Sequence, residues 1–273
     1  MPKRGLGGIR LLLAAGIGLF SVCSYYRLSQ TNPVTGEKQR IDITPQQEVA
    51  LGLQAAPQMA EQFGGLDPDQ RAQREVDEVG GEIVANSDAK KGPYRYEFHL
   101  LADGKTVNAF ALPGGQIFIT RALMGRLKTR GQLAGVLGHE VAHVVGRHSA
   151  EQMAKQKLTQ GLTGAAVIAT IDPGDPSTYR TAAVAQMVGQ FIGMKYGRED
   201  ELESDALGVR FMTQAGYDPR SMMEVMKILA AAGGGRGGPE FAQTHPNPEN
   251  RIKKIEAAIQ EQFPTGVPQG MKR

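Results

Sequence analysis

Residues 133–153 read LAGVLGHEVAHVVGRHSAEQM, and within them His139-Glu140-Val141-Ala142-His143 sets two imidazoles four positions apart with a carboxylate beside the first. On a helix, positions four apart lie about 40° apart around the axis and one turn apart along it, so both rings can reach one metal ion. Glu140 is about 100° from His139, close enough to address a water on that ion without ligating it. The chain has only five histidines, so a chance match to this pattern is improbable. Around the motif, Leu133, Val136, Leu137, Val141, Val144 and Val145 form an apolar stripe that packs the helix beside the site. Gly131, Gly135, Gly138 and Gly146 each cost a helix roughly 1 kcal/mol, which makes sense where another group must approach the backbone closely.

Two histidines leave zinc one protein ligand short of a catalytic site, which keeps three protein ligands and an open fourth position. The continuation HExxHxxGxxH finds Gly146 in place but Ser149 where the third histidine belongs, with His148 one residue early. In an unbroken helix running from Gly131 to Lys157, His148 would lie about 140° around from His143 and point away from the ion. Downstream, Glu151 is the only acidic residue between His143 and Ile171. The next candidates lie in Arg198–Asp205, REDELESD, on a helix expected from Glu199 to Ala215 with Leu202, Ala206, Val209 and Met212 as its buried side. Glu201 and Asp205 share a face and suit a ligand carboxylate plus one that accepts a ligand histidine's other ring N–H. Spacing alone leaves Glu199 and Glu203 as rivals.

Working outward, helices are expected over Pro45–Phe63, interrupted at Pro57, and over Gln70–Asn86. Tyr94, Tyr96, Phe98 and Leu100 alternate with polar residues as a half-buried strand, which puts His99 on the solvent side. NAFALPGGQIFIT, Asn108–Thr120, reads as two short strands around Pro113-Gly114-Gly115. Leu158–Met194, split by Asp172-Pro173-Gly174-Asp175-Pro176, reads as a helical hairpin over the core, and Gly233–Gly238 as a flexible loop. A helix stops at Gly216 and restarts after Asp218-Pro219; a last one follows Asn247-Pro248, with Ile252, Ile255 and Ile259 inward.

At the N-terminus, Lys3, Arg4 and Arg10 precede an apolar run from Leu11 to Val22, the pattern of an export signal or a short membrane anchor. Residues 27–44 carry turn signals and read as a linker or docking strap. The net charge is +3, but residues 1–30 hold four basic residues and no acid; the remainder has 27 basic against 28 acidic. That balance offers no basic stripe for phosphate contacts and excludes nucleic acid as a partner. Cys23 is the only cysteine, so thiolate zinc ligation and an intrachain disulfide are excluded. It stands where a bacterial lipoprotein carries its lipidated cysteine, although Val22 is a poor fit before it; an uncleaved anchor and a buried thiol are the other readings.

The stretches NAFALPGGQIFIT, LAGVLGHEVAHVVGRHSAEQM, ELESDALG and THPNPENRI together resemble the membrane-associated zinc metallopeptidases of the prenyl-protein endopeptidase and HtpX family. Within that family the resemblance is strongest to the bacterial periplasmic BepA-like and mitochondrial inner-membrane quality-control branch, over roughly Pro45–Ile259. It implies an α+β, zincin-like (gluzincin) fold, mainly helical, with a small sheet beside the HExxH helix. It implies one zinc ion per chain on His139, His143 and Glu201, with Glu140 as general base and Asp205 behind the ligands. The family's usual alanine before that aspartate is Ser204 here. The strand Asn108, Ala109, Phe110, Ala111 is implied to border the cleft and pair with extended polypeptide substrate. His245 matches a family histidine near the cleft, with a role at the oxyanion or as a closing fourth ligand, and Arg251 is similarly placed.

The expected layout is a signal peptide or membrane anchor at 1–26, a linker at 27–44, a metallopeptidase domain at 45–262 and a flexible tail at 263–273. The implied activity is endopeptidase action on misfolded or unassembled proteins at the periplasmic face of a bacterial envelope. The alternative is a zinc-containing holding or adaptor protein without turnover, against which the intact Glu140 speaks.

Overall fold

The computed structural model describes residues 4–170, 196–232, 241, 245 and 250–273, without the side chains of 4–7, 10 and 163–170. The region 171–195, most of the expected hairpin, and the glycine-rich 233–238 lie outside the described residues, as do Asn247 and Pro248. The element order is α1 (Arg4–Arg27), β1 (Gln30–Thr31), β2 (Lys38–Gln39), α2 (Pro45–Gln62), α3 (Gln70–Asn86), β3 (Glu97–Leu101), β4 (Ala109–Ala111) and β5 (Gln116–Thr120). It continues with α4 (Arg121–Met124), α5 (Arg130–Val145), α6 (His148–Thr170), α7 (Arg198–Gln214), α8 (Arg220–Ala232) and α9 (Arg251–Gln262).

Helix α5, which carries the HExxH pattern, is buried from Gly131 to Val145 on every side rather than along one stripe. Its neighbours are α3, α7, α8 and the sheet, so each face meets another element. The sheet runs β3-β5-β4, with β3 parallel and β4 antiparallel to the central β5. Leu100, Ala109, Ile117 and Ile119 turn one face of it toward α5, while Phe110 and Phe118 pack with Ala55 and Met59 of α2 on the other. Helix α2 starts in a Thr44/Gln47 capping box and continues through Pro57, which sits on its exposed face. The expected interruption is absent. His99 is half-buried rather than solvent-facing, stacked on Phe118 with its Nε2 2.8 Å from Gln116 Oε1.

Helices α5 and α7 cross at two bare backbones. A Cβ on Gly138 would lie 3.5 Å from Gly208 O, and one on Gly208 3.3 Å from His139 N. This close crossing brings the acidic run of α7 to the histidines of α5. It also turns α7 differently from the expected apolar stripe. Ala206 is exposed and Leu202 half-buried, while Glu201, Ser204 and Asp205 face inward, because their polar partners lie on that side.

The single helix expected from Gly131 to Lys157 is broken. After α5 ends, Arg147 takes a left-handed backbone (φ 56°) and α6 starts afresh at His148. Residues 28–44 take the form of a docked strap that grips this break. Asn32 Nδ2 donates to Val145 O at 2.7 Å and Gln39 Nε2 to Gly146 O. Arg147, itself buried, donates to Glu48, to Gln30 Oε1 at 2.7 Å and to Ile43 O at 3.0 Å, and Tyr94 completes the Glu48 carboxylate at 3.1 Å.

The expected flexible tail is tied down as well. Lys272 N donates to Gly216 O at 2.9 Å, Asp218 N to Lys272 O at 2.8 Å, and Arg273 pairs with Asp218 at 3.1 Å. Backbone pairing and an ion pair to a buried carboxylate anchor its last two residues beside the turn after α7. In α9, Ile255 and Ile259 are buried but Ile252, on the same stripe, is exposed, because it sits in the first turn of the helix. Helix α1 packs along α6, with Ser21 against Gly161. Cys23 is exposed, which removes the buried-thiol reading. Among the described residues no helix is long and apolar enough to cross a membrane.

Candidate active site

His139, His143, Glu201 and His245 each turn one donor atom to a common point, all within 4.8 Å of one another and all buried. Helix periodicity places the two α5 imidazoles on one face, and their Nε2 atoms are 3.0 Å apart. The α5–α7 crossing brings Glu201, whose oxygens lie 3.5 Å from His143 Nε2 and 3.6 Å from His139 Nε2. His245 enters from the far side, its Nδ1 2.8 Å from Glu201 Oε1 and 3.4 Å from His139 Nε2. Tetrahedral zinc with ligands near 2.1 Å has ligand–ligand edges of about 3.4 Å, and these separations bracket that value. Glu201 Oε2 is buried with an ion pair to Arg251 at 3.0 Å but no hydrogen bond, and His245 Nε2 is buried with none, facing Glu140 at 3.7 Å.

Burial alone would push Glu201 up, but the imidazoles of His245, His139 and His143 hold its carboxyl well below the usual range. Burial likewise opposes a charge on His139, yet Asp205 and Glu201 outweigh it and raise that imidazole to about 9. Burial drives His143 far below its ordinary value and keeps it neutral. A carboxylate held ionised beside a neutral imidazole is a donor pair suited to a metal cation, whose binding would release the proton that His139 favours.

Behind the donors, Asp205 Oδ1 stands 3.1 Å from His139 Nδ1, within ion-pair reach though out of line for a hydrogen bond. Arg251 clamps both carboxylates of α7, donating to Asp205 twice at 2.7 Å and standing 3.0 Å from Glu201 Oε2. Asp205 would rise through burial but is held down by that guanidinium. The rivals for Glu201 point elsewhere: Glu203 pairs with His148 at 3.1 Å, and Glu199 is exposed.

Glu140 is fully buried, and neither carboxylate oxygen has a hydrogen-bond partner; His245 Nε2 stands 3.7 Å from Oε1. Burial raises its pKa. The β4 edge is the remaining element. Its backbone bonds to β5 through Asn108 and Leu112, so by antiparallel alternation the N–H and C=O of Ala109 and Ala111 turn away from the sheet.

Two aromatic contacts were not read from the sequence. Tyr196 stacks on His143 with centroids 3.9 Å apart, and Phe241 stacks on His245 at 4.3 Å. Neither lies in a patterned stretch, so no periodicity could have found them.

Fold and donor set together define a zincin-like metalloprotease. The sequence profile of Peptidase family M48 matches residues 70–259, and the chain belongs to that family. It is 29% identical over 252 residues to the "Mitochondrial metalloendopeptidase OMA1" of Schizosaccharomyces pombe, covering 91% of this chain and 71% of that protein. To the "Beta-barrel assembly-enhancing protease" of Escherichia coli it is 29% identical over 181 residues, covering 65% of this chain but 37% of the relative. To the "Mitochondrial metalloendopeptidase OMA1" of Arabidopsis thaliana it is 32% identical over 159 residues, 58% of this chain and 31% of the relative. The chain therefore spans only about a third of the latter two. One cluster of metal-ligating residues is found among the described residues, in keeping with a single zinc ion per chain.

Proposed function

We propose that this protein is a zinc-dependent endopeptidase of a bacterial cell envelope that hydrolyses extended segments of misfolded or unassembled proteins. The observation that carries the reading is Glu140, a fully buried carboxylate with both oxygens unpartnered, one residue from His139. A structural metal site needs no such group, and a buried unpaired carboxylate is costly unless it is used. His139, His143 and Glu201 are the proposed zinc ligands, with Asp205 and Arg251 holding them in place. Zinc, when bound, supplies Lewis acidity that polarises a carbonyl and lowers the pKa of water to about 7. Glu140 takes the proton of the attacking water and passes it to the leaving amine. Its raised pKa suits both halves of that task. The outward backbone of Ala109 and Ala111 receives the substrate as an added strand, with Asn108 and Phe110 setting the strand's register on β5. Backbone recognition of this kind accepts many sequences.

The proposed catalytic domain spans residues 45–262. Within the family we place the chain beside the OMA1 peptidases and the beta-barrel assembly-enhancing proteases rather than those that process prenylated peptides. Attachment to a membrane through α1 is part of the proposal. Leu12 and Phe20 are 75% and 72% exposed there, on a helix that closes with Arg27. Lipidation at Cys23 is the alternative form of attachment.

A second reading has one observation in its favour. His245 completes a four-donor, all-protein cluster, which is how a structural zinc site closes. The protein would then hold unfolded chains without cutting them. Zinc content and cleavage of unfolded casein, compared between the detergent-solubilised full chain and Glu140→Gln, separate the two. About one zinc in each with cleavage by the wild type alone supports the enzyme; zinc in both and cleavage by neither supports the holding protein.

His245→Ala then assigns the histidine. If His245 closes the fourth position at rest, removing it raises turnover of short peptides several-fold; if it steadies the oxyanion, turnover falls about 10²-fold.

A further inference from the structure

His148 is the one histidine near the site that lies outside the donor cluster, and it is buried. Its Nδ1 is 2.9 Å from His143 Nδ1, and its Nε2 is 3.1 Å from Glu203 Oε2. Ser204 Oγ adds a third contact, 3.3 Å from His148 Nδ1. The ring reaches this place only because the helix breaks. A Cβ on Gly146 would stand 2.7 Å from His148 Cε1, so the ring folds onto bare backbone. The left-handed Arg147 then turns the chain so that α6 begins at His148.

We infer that His148 and Glu203 are positioning residues that fix which nitrogen of His143 carries its proton, an inference that rests on reading His143 as a zinc ligand through Nε2. A nitrogen that ligates needs its lone pair, so the single proton of neutral His143 must sit on Nδ1. Two nitrogens 2.9 Å apart share one hydrogen. His143 Nδ1–H therefore donates to His148 Nδ1, His148 keeps its own proton on Nε2, and that N–H donates to Glu203. The carboxylate at the far end sets the direction of the whole chain. Helix α7 thus steadies both histidines of the HExxH pattern, His139 through Asp205 beside it and His143 through Glu203 by way of His148. His143 lies one turn further along α5, and His148 spans the gap to α7. The Ser204 hydroxyl gives His148 Nδ1 a second neighbour at 3.3 Å.

The test uses the full chain in wild type, His148→Ala, Glu203→Leu and Glu203→Gln. Zinc affinity is read by competition titration, and the His143 tautomer by ¹⁵N resonances of the metal-free protein. The expected wild-type tautomer is Nδ1–H. Zinc affinity falls about 10- to 100-fold in His148→Ala and about 10-fold in Glu203→Leu, and stays within about 3-fold in Glu203→Gln, whose amide oxygen still accepts. A wild-type His143 protonated on Nε2, or wild-type affinity in both His148→Ala and Glu203→Leu, overturns the inference. Should His148→Ala fail to fold, the two Glu203 variants decide, since that side chain is 21% exposed and its replacement leaves the core intact. A wild type that binds no zinc would sink the ligand reading, while the tautomer still decides the relay by itself.

Discussion

Two clusters of buried polar side chains lie along α5 and the break that follows it, around Glu140 and around Arg147, and they are built to opposite rules. Around Arg147, Glu48 accepts from the guanidinium and from Tyr94, and the other guanidinium hydrogens go to Gln30 and the Ile43 carbonyl. Around Glu140, both of its carboxylate oxygens and His245 Nε2 lack a hydrogen-bond partner. In the first cluster the ionic partners meet directly and fix the strained turn between α5 and α6. The second leaves its bonds open for a cation, a water and a substrate that arrive from outside. Around Arg147 the pairing serves the architecture; around Glu140 the open carboxylate is the feature that points to chemistry.

The contrast breaks if either cluster behaves like the other. Glu140→Gln should lower the rate of peptide hydrolysis about 10³- to 10⁴-fold while leaving zinc content and urea stability unchanged or slightly improved, because it removes a buried, unpaired carboxylate. A loss of stability with the loss of rate would mean that Glu140 has a structural partner after all. Glu48→Ala should do the reverse, costing about 3 kcal/mol in urea unfolding because Arg147 is left buried without its counter-charge. A cost under about 1 kcal/mol would show that the Glu48–Arg147 pair does not hold the break. Smaller still is Asp218, which Arg220 and Arg273 hold at about 2 against the burial that would raise it. A carboxylate depressed in the folded state contributes stability above its unfolded pKa of about 3.8 and loses it as pH falls through about 2. Asp218→Asn should therefore cost about 1–2 kcal/mol near neutral pH and nothing measurable below about pH 2, read from urea curves across that range. An undiminished difference in acid would mean that packing, not charge, anchors the C-terminal segment.

Much of the site was legible because one helix carries it. The spacing of His139, Glu140 and His143 fixes their mutual angles through backbone geometry alone, and the structure keeps them on one face of α5. The acidic run on α7 was legible only as a set. Glu199, Glu201 and Glu203 all lie within reach of the sequence argument, and resemblance, not spacing, favoured Glu201. The apolar pattern of α7 misled, since Ala206 is exposed and the carboxylate face turns inward. In a helix whose partner is a charged cluster, hydrophobicity no longer tells inside from outside.

What the sequence determined by itself is therefore local: the paired imidazoles, the carboxylate beside them, the two strands around Pro113-Gly114-Gly115, and the helix starts at Pro45 and Gln70. These follow from the period of one element and the chemistry of its first residues, which act over four or five positions. The tertiary structure alone decided the break at Arg147, the turn of His148 beneath His143, the stacking of Tyr196, the docking of the C-terminal segment and the clamp of Arg251 on two carboxylates. Each depends on which elements cross and at what distance, and the approach of two helices at Gly138 and Gly208 is set by the packing of the whole core, not by the residues of either helix.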